Sequence, residues 1–314
     1  MVTIRSVDAA GVPAASTTSS AEQTRARYPD ASGIAVRDGG RIAWEAYGRG
    51  EPSLMFVPPW QIVHSRVWKF QIPDFARRHR VVAWDARGNG RSDRPAEPAS
   101  HTVWARAADL AAVLDEVGIS AAVLIGLSSA SGPMVVFAAG HPERVLGLVF
   151  VCPSSLIGEA GRGSDVPFEE PLDRDDGWFK ENLHYWRRDF VGYLEYFFAE
   201  AFPEPHSTKQ REDAVGWGLD TDPESLAATV RARGSIDRPT FAAMCAAIDR
   251  PTLVIQGTDE RISHVTQGIG LARAIPRSRL ELLEGAGHIP TARDPIRVNL
   301  LIRDFIGEIR RARA

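Results

Sequence analysis

The sequence predicts an α/β protein: a mostly parallel sheet with helices on both faces and a helical cap insertion. Three observations carry this. Short apolar runs alternate with amphipathic helical stretches, the rhythm of a parallel sheet covered on both sides. That rhythm stops between about residues 153 and 249, where strand-like runs are few. The apolar run Ala121-Ala122-Val123-Leu124-Ile125 also passes directly into a small-residue turn and then a helix.

Taken in order, 1–32 is rich in Ala, Ser, Thr and Gly and reads as a loosely held N-terminal extension. Runs at 34–37 and 41–47 flank Asp38-Gly39-Gly40, a hairpin signal. Short buried-strand runs follow at 53–57 and 81–84. Val103, Ala107, Leu110, Ala111 and Leu114 recur at helical spacing and predict a helix over 102–117. A strand at 121–125, a helix at 133–139 ended by His141-Pro142, and a strand at 146–151 complete the first core segment, 33–152. The second, 250–314, holds strands at 252–255 and 280–283 and helices at 265–274 and 297–309. Between them, eleven aromatic residues fall from Trp178 to Trp217. They predict a helical cap over 153–249. An ordinary helical layer also needs core aromatics, and the two readings overlap because a cap needs its own core.

A chain of 314 residues suits one α/β domain with an insertion. Lys plus Arg number 37 and Asp plus Glu 40, a net charge of −3. That balance gives no pull toward nucleic acid or an anionic membrane. Two cysteines, Cys152 and Cys245, cannot build a disulfide framework or a multi-Cys metal site. Cys152, after a buried strand, reads as a small core residue. Neither a membrane-spanning run nor a secretory leader is legible, so a cytoplasmic protein is expected. No metal or cofactor is implied, and a homodimer is left open.

The chemistry concentrates at three strand ends. Gly126-Leu127-Ser128-Ser129-Ala130 fits the nucleophile-elbow pattern G-x-S-x-G, with Ala in the last place. A serine on such a strained turn projects its hydroxyl from the sheet. Neighbours two positions away must be small to clear strand and helix. Ser129 and Ser131 fit that frame less well. Glu284-Gly285-Ala286-Gly287-His288-Ile289-Pro290 follows the 280–283 strand and offers a histidine as general base. Gln256-Gly257-Thr258-Asp259-Glu260-Arg261 ends another strand and offers an acid to orient it.

With these segments the chain resembles the α/β-hydrolase fold superfamily, serine esterase-like and with a cap. The resemblance covers about 33 to the C-terminus. Asp85-Ala86-Arg87-Gly88-Asn89-Gly90-Arg91-Ser92 is similar to the family's D-x-R-G-x-G-x-S loop, and His141-Pro142-Glu143-Arg144-Val145 to its H-P-E-R-V segment. Asp85 and Arg87 are accordingly assigned to loop structure. The region 60–95 and the aromatic cap also resemble hydrolase domains that accompany adenylate cyclase domains in some actinobacterial proteins.

The resemblance implies a triad of Ser128, Glu260 and His288 in the order Ser, acid, His. The family acid usually lies three residues after the strand-terminal Gly and is usually Asp. Glu260 occupies that position here, and Asp259 is the alternative acid. In place of the common His-Gly-x oxyanion loop stands Pro58-Pro59-Trp60. Proline has no N–H, so Trp60 is the first donor, with Ser129 as the second. The expected activity is hydrolysis of a small-to-medium apolar or aromatic carboxylic ester through an acyl-enzyme. Trp60, His64, Trp178, Tyr185 and Trp186 are the substrate-binding candidates, although a surface or capping role for His64 is preferred. Thioester cleavage, C–C bond hydrolysis and acyl transfer use the same site, and a ligand-sensing module with a retained triad is the reading from another class.

Overall fold

The computed structural model describes residues 26–313; residues 1–25 of the expected N-terminal extension lie outside the described residues. Eight strands form one sheet: β1 (Ala31–Arg37), β2 (Gly40–Tyr47), β3 (Leu54–Val57), β4 (Val81–Trp84), β5 (Ala122–Leu127), β6 (Val145–Val151), β7 (Thr252–Gly257) and β8 (Ser278–Leu283). Their order across the sheet is β1-β2-β4-β3-β5-β6-β7-β8. The β1–β2 and β2–β4 pairings are antiparallel, and every later pairing is parallel. The longer helices are α1 (Val103–Glu116), α2 (Ser131–Gly140), α3 (Leu183–Arg188), α4 (Phe190–Ala201), α5 (Thr208–Gly218), α6 (Pro223–Arg231), α7 (Arg238–Ala247), α8 (Val265–Ala274) and α9 (Pro295–Arg313).

Local chemistry accounts for these boundaries. β3, β4, β5 and β7 are buried along their whole length, as interior strands covered on both faces must be. The β1–β2 hairpin turns through Asp38 and Gly39, both at positive φ, which matches strand twist. Thr102 Oγ1 caps α1 by accepting the Ala105 N–H at 3.1 Å. The D-x-R-G-x-G-x-S segment is held by its own side chains. Asp85 accepts the Ser65 and Arg91 N–H groups at 3.0 and 3.1 Å, while Arg87 forks onto the buried Asp109. Asp85 and Arg87 therefore build the loop, as the sequence suggests.

Two apolar clusters sandwich the sheet. One joins it to α1, α2, α7 and α8 through Leu110, Met134, Phe241 and Leu271. The other joins the opposite face to α9 through Ile302 and Phe305 and continues without a break into the cap through Trp186, Tyr193, Phe198 and Trp217. Of the helices in 153–249, α7 thus packs with the sheet's own helical layer, and α3 to α6 form the cover. The cap's aromatics are mainly its core: Trp186 meets Tyr193 at 4.7 Å and Phe168 at 5.0 Å between ring centroids.

Cap and core are pinned together at several points. Thr221 Oγ1 donates to Gly88 O at 2.6 Å, Arg94 Nη2 to Asp220 O at 2.5 Å, and Trp104 Nε1 to Ser235 O at 3.0 Å. Lys69 pairs with Asp213 of α5. No helix among the described residues is long and apolar enough to cross a membrane.

The end of β5 is a tight joint. A Cβ on Gly126 would lie 2.3 Å from Met134 Sδ and 2.7 Å from Ala130 Cβ. The hydrogen at 126 thus makes room for the methyl at 130, where the motif usually has glycine. Gly126→Ala should lower Tm by several degrees, because overpacking costs about 1–3 kcal/mol. Adding Ala130→Gly should recover part of that loss; calorimetry of the two single variants and the double variant checks the coupling.

Candidate active site

The site is assembled where parallel strands end. Register places Val57 of β3 beside Gly126 of β5, and Gly257 of β7 beside Leu283 of β8. The turns that follow these strands therefore emerge at one edge of the sheet, as ligand sites of open α/β sheets do.

Ser128 follows β5 directly and holds φ at +55°. A non-glycine residue in this region costs energy and persists only where its surroundings fix it. Here the fixing is explicit. The Ser154 N–H donates to Ser128 O at 3.1 Å, and Ser131 Oγ donates to Ser154 O at 2.5 Å. Ser128 is largely buried yet lines a cavity, and its Oγ meets Ser154 Oγ at 3.2 Å. Ser154 Oγ in turn meets Ser263 Oγ at 2.5 Å, so three hydroxyls run in a row.

His288 lines the same cavity. Its Nδ1–H donates to Glu260 Oε2 at 2.8 Å, which leaves Nε2 as the free ring nitrogen. The other Glu260 oxygen accepts the Ile262 and Ser263 N–H groups at 2.8 and 3.2 Å. The carboxylate is thus buried with both oxygens satisfied, as a buried charge requires. Asp259 points elsewhere and forks with Arg261 at 3.0 Å, half exposed. Of the two candidate acids, the structure brings Glu260 to His288 and leaves Asp259 at the surface. Ser128 and His288 share the cavity wall, with no hydrogen bond between them.

The histidine loop is held from the cap. The His288 N–H donates to Ala201 O at 3.1 Å, and the Gly287 N–H donates to Glu204 Oε1 at 2.7 Å. A Cβ on Gly287 would lie 2.3 Å from Pro203 Cδ, so glycine is required for that approach. Cys152 lies beneath, wholly buried, accepting the Gly257 N–H at 3.4 Å. Burial, with Glu260 nearby, pushes its thiol well above the usual range.

Trp60 and Ser129 also line the cavity, and neither main-chain N–H has an acceptor among the described residues. The Trp60 indole turns into the cap, where Nε1 donates to Thr229 Oγ1 at 2.7 Å and the ring sits 5.6 Å from Phe197. The cavity, about 630 Å³, takes its apolar walls from Trp60, Trp178, Phe197, Phe198, Ile236 and Phe241.

Three expected substrate contacts are not there. Tyr185 and Trp186 are buried within the cap and do not reach the cavity wall, because the cap's own core claims them. His64 is buried beneath the cap, its Nε2 3.1 Å from Asp220 and its Nδ1 3.8 Å from Asp85. It joins core to cap and does not line the cavity. Ser154 and Ser263 went unread in the sequence. For Ser154 the available signal was its place just beyond β6, at the carboxyl edge of the sheet.

Comparison with known proteins places the chain in a family. Residues 62–292 match the family model described as alpha/beta hydrolase fold. A 2-hydroxymuconate semialdehyde hydrolase of Pseudomonas sp. (strain CF600) is 30% identical over 244 residues, 77% of this chain and 81% of that one. A non-heme haloperoxidase of Rhodococcus erythropolis is 27% identical over 81% of this chain and 92% of its own. Among solved structures, an esterase from Rhodococcus sp. ECU1013 superposes with a TM-score of 0.72 at 26% identity, covering 88% of this chain and 98% of that one.

If Glu260 orients the histidine, Glu260→Ala should cost about 10⁴ in kcat, the scale of losing a triad acid. Asp259→Ala should cost less than about tenfold, since only a surface pair worth little is lost. Steady-state rates of the two variants side by side decide between them.

Proposed function

The chain belongs to the alpha/beta hydrolase fold family, and on that premise we propose that it is a serine hydrolase cleaving a carboxylic ester of a small-to-medium apolar or aromatic substrate. The observation that carries this reading is the convergence of three groups on one cavity. These are a serine hydroxyl on a strained turn, a histidine braced by a buried carboxylate, and two unengaged main-chain N–H groups.

In the proposed reaction Ser128 Oγ attacks the ester carbonyl carbon while His288 Nε2 takes its proton. Glu260 holds the imidazole in the tautomer that exposes Nε2 and stabilises the imidazolium that forms. The carbonyl oxygen, now negative, accepts from the Trp60 and Ser129 N–H groups. His288 returns the proton to the leaving alcohol. Water, deprotonated by the same nitrogen, then releases the acid from the acyl-enzyme. The Ser128 hydroxyl rests on Ser154 and turns about χ1 to reach His288, in keeping with the looser contacts of resting active sites.

The choice of substrate rests on the walls. A cavity of about 630 Å³ lined by aromatic rings favours an apolar or aromatic acyl or alcohol group. The structural likeness to an esterase points the same way. One observation favours a second reading: the relative at 30% identity is a 2-hydroxymuconate semialdehyde hydrolase, so C–C bond hydrolysis on the same triad is the alternative.

The experiment is steady-state turnover of a chain-length panel of p-nitrophenyl esters, wild type beside Ser128→Ala, with 2-hydroxymuconate semialdehyde as a parallel substrate. Turnover of short-to-medium esters that falls at least about 10³-fold in the variant is expected. Turnover of the semialdehyde alone would establish the C–C reading. Ester turnover that survives in Ser128→Ala would overturn the serine mechanism.

A further inference from the structure

Arg106 is a charged residue on the buried face of α1, three residues after Val103 and four before Leu110. Its side chain is almost wholly buried, yet it forms no ion pair among the described residues. Asp109, one turn along, is already engaged by Arg37 and Arg87. Burial pushes the Arg106 guanidinium down to about 10, still charged at neutral pH. Asp109 acts on it through charge but not through contact, and a buried cation with no carboxylate in direct contact is costly, so what it touches is informative.

Its partners are main-chain carbonyls and one hydroxyl. Nη2 donates to Pro58 O at 2.9 Å and Pro59 O at 3.0 Å. Nη1 lies 3.3 Å from Ser129 O and 3.2 Å from Ser129 Oγ. One guanidinium therefore ties the turn after β3 to the turn after β5. These are the two turns that bring Trp60 and Ser129 to the cavity wall.

The geometry of the peptide unit gives this tie a consequence. The Pro59 carbonyl and the Trp60 N–H belong to the same planar, trans peptide, so they point in opposite directions. Fixing the carbonyl on Arg106 fixes the direction of the N–H. A cation on the carbonyl also polarises the amide and makes its N–H a stronger donor. Pro58 and Pro59 offer no N–H of their own to hold this turn, so its anchorage falls to the carbonyls. At Ser129 the same guanidinium holds the residue that supplies the second donor.

We infer that Arg106 is a positioning residue for the oxyanion hole: it fixes the Trp60 peptide and the Ser129 turn in register and so stabilises the transition state through them. The inference deepens the serine-hydrolase reading and rests on it. A planar fork is needed, because a single ammonium cannot reach Pro58 O, Pro59 O and Ser129 together.

The test uses the full chain, p-nitrophenyl butyrate as substrate and a fluorophosphonate probe that titrates the reactive serine. Rates are expressed per titratable site, so a partly misfolded population does not count as a slow enzyme. For Arg106→Met, kcat per site should fall by about 10², the scale of losing one oxyanion donor, with KM within about twofold of wild type. The fluorophosphonate labelling rate should fall in parallel, because that reaction also builds negative charge on an oxygen held in the hole. Arg106→Lys should not restore either rate. Where Arg106→Met does not fold, Arg106→Gln, which keeps one amide donor, carries the same test.

Unchanged per-site rates, a loss confined to KM, or full rescue by lysine would overturn the inference while leaving Ser128 as nucleophile. A wild-type protein that the probe does not label at Ser128 would overturn the serine-hydrolase reading and this inference with it.

Discussion

Everything at the site depends on one strained residue. Ser128 sits at φ +55°, a conformation its side chain does not favour, at the end of a wholly buried strand. Three features hold it there: a glycine two residues before, a methyl two residues after, and Ser154, bound to the elbow through its N–H, its carbonyl and its hydroxyl. The strain lifts the hydroxyl off the strand axis and starts α2 immediately behind it. Without the kink, the hydroxyl would follow the pleat of β5 into one of the two apolar layers, where it would meet neither base nor cavity.

The proposed base is held by a different part of the protein from the proposed nucleophile. Ser128 belongs to the sheet, but the loop that carries His288 hangs from the cap through Ala201 O and Glu204. α4 and the base are therefore one mechanical unit. A movement that lifted α4 would break the His288 N–H bond and pull the imidazole from Glu260. Arg94, Thr221 and Lys69 fasten further parts of the cover, on and around α5, to the core. The cavity is thus roofed by helices whose attachment is also a condition for the proposed chemistry.

Much of this was legible because parallel-sheet strands are nearly pure apolar runs. The strand read at 81–84 and the helix read at 265–274 coincide with β4 and α8, and the other core elements shift by a few residues at their ends. The three chemical segments were legible because each couples a strand end to small residues, and small residues there have few other uses. The cap contacts were not. Trp178 and Tyr185 look alike in sequence, since helical aromatics face either a cavity or a cap core at the same spacing. Only the packing of α3 against α4 sends Trp186 and Tyr185 inward. Arg106 left a fainter trace. A charge within the apolar stripe of α1 breaks the helix's own pattern, and such local conflicts tend to mark functional positions.

The neighbouring acids show how a one-residue ambiguity is resolved by direction. The chain leaves β7 stitched to the histidine loop: the Thr258 N–H donates to Leu283 O, the Asp259 N–H to Ala286 O, and Thr258 Oγ1 accepts from Gly285. Asp259 turns out to Arg261, and Glu260 turns in to His288. The carboxylate then serves two partners. One of its oxygens reaches His288 while the other closes the turn onto the Ile262 and Ser263 N–H groups. The acid's contact with the imidazole and the turn it closes are therefore coupled, and Ser263, placed by that turn, is what extends the hydroxyl row back through Ser154 to Ser128.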